Sequence, residues 1–153
     1  MNNTKENKMC LFFASDYHFE MITLPYIEKE LEKDKEIVVL TDKDLVPTVK
    51  NLVSKITLPE EKKEKILSIN WKNEDKLKIE NLKNAKKEII VFIKGKKKYV
   101  TDMRRNISEY IESKNIKCID CYDVNEVSEN LAEIASKYDS MLKTMGEVNK
   151  NEV

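Results

Sequence analysis

Glycine is nearly missing from this chain: 153 residues contain two, Gly95 and Gly146. Phosphate-cradling loops depend on glycine for close backbone approach, and neither G-x-G-x-x-G nor G-x-x-x-x-G-K-[ST] occurs. No G-x-S-x-G elbow surrounds a serine either, which removes the common hydrolase nucleophile. Histidine occurs once, at His18, and the three cysteines are scattered, so no zinc-ligand spacing exists and no metal is expected. Net charge is also lacking. The 28 basic and 28 acidic side chains cancel, removing the bulk attraction on which a general nucleic-acid or anionic-membrane binder relies. No apolar run approaches the ~20 residues needed to span a bilayer. Neither nucleic acid nor membrane is therefore an expected partner.

An odd number of cysteines after a polar start, Met1 to Lys8, which does not read as a secretory signal, points to reduced thiols and a cytoplasmic location. Cys118 and Cys121 form a C-x-x-C, but inside a strand-like segment. Side chains three apart on a strand point to opposite faces, so the pair reads as buried or half-buried thiols rather than a bridge or metal site.

What the chain does have is enough aliphatic side chain, within a 41% hydrophobic composition, for a two-sided core in one domain over 1–153. The clearest element is Glu88 to Gly95. Its five consecutive apolar residues, Ile89 to Ile93, stop at Lys94-Gly95. A strand apolar on both faces belongs inside a sheet with helices above and below. Further strands are predicted at Met9–Ala14, Glu36–Thr41, Ile66–Trp71 and Ile116–Tyr122. Helices are predicted from Tyr17 to Lys33 (kinked at Pro25, or starting at Thr23), after Asp44, after Thr57, from Glu74 to Lys86, opening at Lys96-Lys97-Lys98-Tyr99, and from Asp123 to Gly146. Residues 1–8 and 147–153 read as flexible ends.

Five strands alternating with helices give an α/β fold: a three-layer doubly wound sandwich with a mainly parallel sheet. The expected strand order is flavodoxin-like, 2-1-3-4-5, or Rossmann-like, 3-2-1-4-5. Ligands of such sheets bind beyond the carboxyl ends of the strands, where the order reverses. That rule selects Ser15, Asp16 and His18 after the first strand, Asp42 and Asp44 after the second, and Asn70 and Trp71 at the third. It adds Lys94 and Gly95 at the fourth, with Lys97 just beyond, and Asp120 and Asp123 at the fifth. In a catalytic reading His18 carries a proton or phosphoryl group, Asp16 orients it and Lys94 holds an anion, with Ser15, Trp71, Gly95 and Lys97 completing a ligand pocket. In the plainer reading Asp16, Asp42, Asp44, Asp120 and Asp123 are helix caps and His18 is a hydrogen-bonded first-turn side chain. Lys96, Lys97 and Lys98 at a helix amino end oppose the macrodipole unless an anion sits there; as a solvated charge run they need none.

Asp16-x-His18 resembles the start of the D-x-H-x-x-G motif of corrinoid-binding domains, but Met21 stands where the glycine belongs and no later Gly-Gly pair follows. Receiver domains of response regulators are similar in expected fold class. They carry paired acids, an aspartate and a lysine where this chain has Asp16 alone, Trp71 and Asp120. The chain is assigned to neither family, and no cofactor is implied.

In the last predicted helix, Val127, Leu131, Ile134, Tyr138, Met141 and Met145 are spaced 4-3-4-3-4, a heptad seam. A helix of that length overhangs strands of ordinary length, so Tyr138, Met141, Leu142 and Met145 are predicted to mediate self-association, a homodimer being the default. Together these features predict a non-catalytic regulatory or assembly module with room for a small anionic ligand. The alternative is a small enzyme acting on a phosphorylated or carboxylated metabolite through His18, Asp16 and Lys94.

Overall fold

Ile89 to Gly95 is an interior strand, and every one of its residues is buried. Its side chains alternate between two separate apolar clusters: Ile90 and Phe92 enter one, while Ile89, Val91 and Ile93 enter the other. The expected double-sided burial is therefore present, and the fold is built outward from it.

The computed structural model describes residues 8–113 and 115–149. In chain order these form β1 (Met9–Phe13), α1 (Asp16–Glu32), β2 (Glu36–Thr41), α2 (Val46–Lys55), α3 (Glu60–Leu67) and α4 (Asp75–Leu82). There follow β3 (Ile89–Gly95), α5 (Lys97–Ser113), β4 (Ile116–Asp123), α6 (Val124–Val127), α7 (Leu131–Ala135), β5 (Ser140–Lys143) and β6 (Gly146–Asn149). One six-stranded sheet has the order β2-β3-β4-β1-β5-β6, parallel throughout except for the antiparallel β5–β6 hairpin. Helices α1 to α3 share one cluster with Leu11, Phe13 and Phe92, and α4 to α7 share the other with Val91 and Ile93. The α/β class and the mainly parallel sheet hold.

The strand order does not. Neither expected order is present, for two local reasons. Ile66–Trp71 is no strand: Ile66 and Leu67 end α3, and the Trp71 indole donates to the Ile66 carbonyl at 2.9 Å, closing a tight turn that buries the ring. The helix expected from Asp123 to Gly146 breaks into α6, α7 and the hairpin. β1 is buried along its whole length between the two helix layers, so its backbone groups on both sides need ladder partners. β4 supplies one side and β5 the other, with Met9 opposite Ser140 and Cys10 opposite Met141. That demand outweighs the heptad spacing.

The heptad seam therefore has no helix to follow. Tyr138 and Leu142 are buried, Met141 packs partly against the core, and Met145 stands 94% exposed at the hairpin turn. Residues 147–149, expected to be loose, belong to β6; the remaining expected loose ends, 1–7 and 150–153, lie outside the described residues. α1 starts at Asp16 and runs through Pro25 without restarting at Thr23. Cys118 and Cys121 fall on opposite faces, one in each cluster, as the strand spacing predicts, and all three cysteines are buried and outside any disulfide.

Gly146, which reads in sequence as a helix stop, follows the two-residue turn of the hairpin with φ +109°, where L side chains are strained. Open space surrounds its missing Cβ, so the strain is purely conformational. Gly146→Ala is expected to lower stability by about 1 kcal/mol in urea unfolding. A surface Gly→Ala within a helix would instead raise it.

Candidate functional site

The carboxyl rim is assembled where β1 lies beside β4, the helix after β1 being on one face of the sheet and those after β4 on the other. Ser15 ends the β1 turn in extended conformation and caps α1, its Oγ accepting from the His18 amide at 3.0 Å. Asp16 begins the helix. Lys94 arrives from β3 on the same face as Ile90 and Phe92, by the period-two alternation of a strand.

Lys94 is 2% exposed, and its ammonium lies 2.7 Å from Asp16 Oδ1. It also sits over the rings of Phe13 and Phe19, at 4.6 and 5.4 Å from their centroids. An isolated ammonium at this depth would be strongly disfavoured; a carboxylate and two aromatic faces compensate it. Lys43 adds a second cation 3.6 Å from the other Asp16 oxygen. Burial alone would raise the Asp16 carboxyl, but the hydrogen bond and charge of Lys94, with Lys43 behind them, hold it below the ordinary aspartate range.

One turn further along α1, Glu20 is fully buried. Burial, reinforced by the charge of Asp16, pushes its carboxyl up to about 7, against the hydrogen bond from Thr48 and the charge of Lys94. Geometry supplies an independent argument. Thr48 Oγ1 lies within a short hydrogen bond of Glu20 Oε2 and also 3.1 Å from the Leu45 carbonyl oxygen. One hydroxyl has one proton and cannot donate to both acceptors. A protonated Glu20 resolves this by donating to Thr48, which then donates to Leu45. Glu20 Oε1 has no hydrogen-bond partner among the described residues.

His18 is not paired with Asp16, whose oxygens go to the two lysines. Its Nδ1 accepts from the Ala14 amide at 2.7 Å, which places the ring proton of the neutral imidazole on Nε2 and pins the ring across the first turn of α1. At the amino end of α5 the Lys97 amide donates to Glu126 Oε1 at 2.7 Å, so the chain's own carboxylate fills the place an external anion would take. Asn125 donates to the Ala14 carbonyl at 3.4 Å and closes the gap between the β4 and β1 loops.

The remaining sequence candidates have structural duties. A Cβ on Gly95 would come within 2.7 Å of the Tyr99 ring and 2.8 Å of Asp42 Oδ2, so the close approach this glycine permits is to the chain itself. The Tyr99 hydroxyl donates to Asp75 at 2.5 Å. Trp71 is a core residue. Asp44 accepts from the Val46 amide, Asn70 from Lys72 and Asp123 from Asn125, all local caps or turns. Asp120 is no cap: it is buried on the α5 side, where Arg104 at 2.9 Å and the Tyr138 hydroxyl at 2.5 Å both donate to it. The Tyr122 and Tyr138 hydroxyls are 2.6 Å apart, and with Tyr138 committed to Asp120 the donor there is Tyr122.

No protein-family model, curated protein or solved structure matches the chain. The site is therefore read from its own geometry.

Ser15, Asp16, His18 and Lys94 share the α1 end of the rim, Gly95 and Lys97 lie along the β3–α5 connection, and Trp71 is elsewhere in the core. The residues that sequence reasoning passes over are Lys43, Thr48, Glu20 and Glu126. Glu20 had a readable signal: a carboxylate four residues after Asp16, on the same side of α1. Lys43, Thr48 and Glu126 are surface-type residues in sequence, and only the packing of α2 and α6 against the rim gives them partners.

Asp16→Asn strands Lys94 in the core without a carboxylate and is expected to cost about 3–5 kcal/mol. Lys94→Met costs less, because Asp16, 27% exposed, retains Lys43 and some water. Urea unfolding of the two variants gives the order. Glu20 makes a separate prediction through pH. A carboxyl whose folded value exceeds its unfolded one loses stability as pH rises between them, here from 4.5 to about 7. At ~1.4 kcal/mol per pKa unit the wild type should lose about 3 kcal/mol over that window. Glu20→Gln should remove this loss, as read by unfolding free energy against pH.

Proposed function

We propose that this chain is a non-catalytic, cytoplasmic regulatory or assembly module whose carboxyl rim is closed by its own charges. One observation carries the reading: the buried cation of the rim, Lys94, is 2% exposed and already bound to Asp16. A phosphate or carboxylate would have to displace Asp16 to meet it. His18 and the Lys97 amide are likewise engaged, with Ala14 and Glu126. Cavities of ≈ 510 and ≈ 490 Å³ lie away from the rim, one along β2 beside Lys78 and the other between α1 and α3. Balanced charge supports the exclusion of nucleic acid, and no helix among the described residues is long and apolar enough to cross a membrane. Self-association belongs to the assembly half of the reading, although α6, α7 and the β5–β6 hairpin stand in place of the single helix the heptad spacing predicts.

The small anionic ligand keeps a place within this reading at the amino end of α5, where it competes with Glu126. The enzyme alternative, through His18, Asp16 and Lys94, has one observation in its favour: two carboxyls a helical turn apart, Asp16 held low and Glu20 held high, a pattern that acid–base pairs share. Glu20 is fully buried, however, which favours a structural proton over a transferred one.

A thermal-shift titration with inorganic phosphate, glucose 6-phosphate, ATP and FMN separates these readings. Wild type is expected to show no rise in melting temperature, whereas Glu126→Ala, which removes the acceptor and uncovers the Lys97 amide, should gain a phosphate-dependent rise. A ligand at a hundred times its Kd stabilises by about 2.7 kcal/mol, well within detection. A rise in wild type that Lys94→Ala abolishes would overturn the closed-rim reading in favour of the enzyme.

A further inference from the structure

Lys78, on α4, is 4% exposed, yet it has no carboxylate within ion-pair reach among the described residues. Lys94, comparably buried, has Asp16 at 2.7 Å. The Lys78 Nζ meets two backbone carbonyls instead, that of Val39 at 2.5 Å and that of Lys72. An ammonium has three N–H donors and would leave one unspent here; a neutral amine has two, and a lone pair. Two carbonyls therefore satisfy the neutral form in full. Burial acts in the same direction, lowering the pKa against the charges of Asp75, Glu74 and Asp44.

The nitrogen also lies beside open space. β2 is a terminal strand of the sheet. The Glu36 amide donates to the Glu88 carbonyl, so Glu36, Val38 and Leu40 turn their backbone groups to β3. Ile37 and Val39 turn theirs to the unpaired side, and Lys78 reaches Val39 there. A cavity of ≈ 510 Å³ runs along that side, lined by both Val39 and Lys78, and its volume is in the range of small-molecule pockets. Ser68, Asn70 and Asn81 add polar wall. The wall lysines Lys35 and Lys87 are held by Glu30 and Asp34, so a charged substituent would find no free countercharge in them.

We infer that Lys78 is an amine that condenses with a small neutral aldehyde entering this cavity, forming an imine. The nitrogen lone pair attacks the carbonyl carbon and a C–N bond forms. The carbonyl oxygen leaves as water with the two amine protons, and a C=N bond remains; nothing is oxidised or reduced. On taking a proton from solvent the imine becomes a cation, which the charges of Asp75, Glu74 and Asp44 favour. Its N–H keeps one of the two carbonyls. The inference does not rest on the closed-rim reading, because no rim residue takes part. A reversible adduct suits a module that senses a carbonyl compound without turning it over.

Glycolaldehyde is the probe and glyoxylate its charged counterpart, each incubated with the full chain at pH 7 and trapped with sodium cyanoborohydride. Peptide mapping by mass spectrometry then reads each lysine separately, with exposed Lys50, Lys96 and Lys98 as internal references. An exposed lysine is a free amine at pH 7 in only roughly one molecule in 2,500. Lys78 is expected to take the glycolaldehyde label at least about tenfold faster than the references. Glyoxylate should give a severalfold lower ratio of Lys78 to reference labelling. Asn81→Phe, at an exposed α4 position on the cavity wall, should depress Lys78 labelling severalfold and leave the references unchanged. Labelling of Lys78 no faster than the references, an equal ratio for the two aldehydes, or Asn81→Phe without effect would overturn the assignment.

Discussion

A charged side chain at the end of a strand buried on both faces has to be neutralised where it stands, and in this protein that constraint fixes the carboxyl rim. β3 delivers Lys94 to a position almost without water, directly after Ile90 and Phe92 on the same face. The first turn of α1 must then present Asp16, which requires Ser15 as its cap and sets the angle at which the helix leaves β1. The same placement brings Glu20 against α2, where its carboxyl, the Thr48 hydroxyl and the Leu45 carbonyl form a short relay between helices. Buried ionic pairs of this kind contribute little net stability compared with an apolar replacement. Their effect here is on geometry: removing one partner leaves the other uncompensated, so alternative seatings of α1 on the sheet are penalised.

The opposite face repeats the arrangement with the charges exchanged. There the buried group is an anion, Asp120, and α5 supplies the cation through Arg104. Tyr138 and Tyr122 complete the shell, joining the segment before β5 to β4. Each face thus carries a polar lock, Lys94–Asp16 under α1 and Asp120–Arg104 under α5, set into otherwise apolar layers. The sheet border at β2 is closed by a third device. Val39 lies at the open side of the ladder, and the buried Lys78 ammonium donates to its carbonyl at 2.5 Å and also to that of Lys72. A lysine covering an edge carbonyl blocks strand addition there. Burial lowers the pKa of Lys78, against the neighbouring charges of Asp75, Glu74 and Asp44.

Much of this frame was legible in the residues. β3 was readable because a short continuous apolar run, rich in β-branched side chains and bounded by Lys-Gly, fits a strand covered on both faces and is too brief for a buried helix. Cys118 and Cys121 could be placed on opposite faces from strand periodicity alone. The failures share a physical origin. Ile66 to Trp71 alternates like a strand, yet the indole reaches back to the Ile66 carbonyl and makes a turn, a local bond that periodicity does not encode. Val127 to Met145 keeps a helical spacing, but the open ladder side of β1 draws Ser140 to Lys143 into the sheet. A long-range requirement outweighed a local preference, and a single sequence carries no record of it. At the rim, His18 and Asp16 looked like partners by proximity in sequence, while the structure gives Asp16 to lysines from two other parts of the chain.

The rule that ligands bind beyond the carboxyl ends of parallel strands assumes that the reversal leaves a crevice. In this sheet the reversal lies between β1 and β4, and the crevice is filled from within. Glu126 occupies the α5 amide, Asn125 spans to Ala14, and Tyr99 and Asp42 close over Gly95. A chain with two glycines has little means of keeping backbone amides open there, since every other residue brings a side chain into the space. At the far end the situation is reversed. α7 is five residues long and covers β1 and β5 incompletely, leaving an apolar hollow. Space is thus left at that end of the sheet, while the rim the topology would nominate is closed by the chain's own side chains.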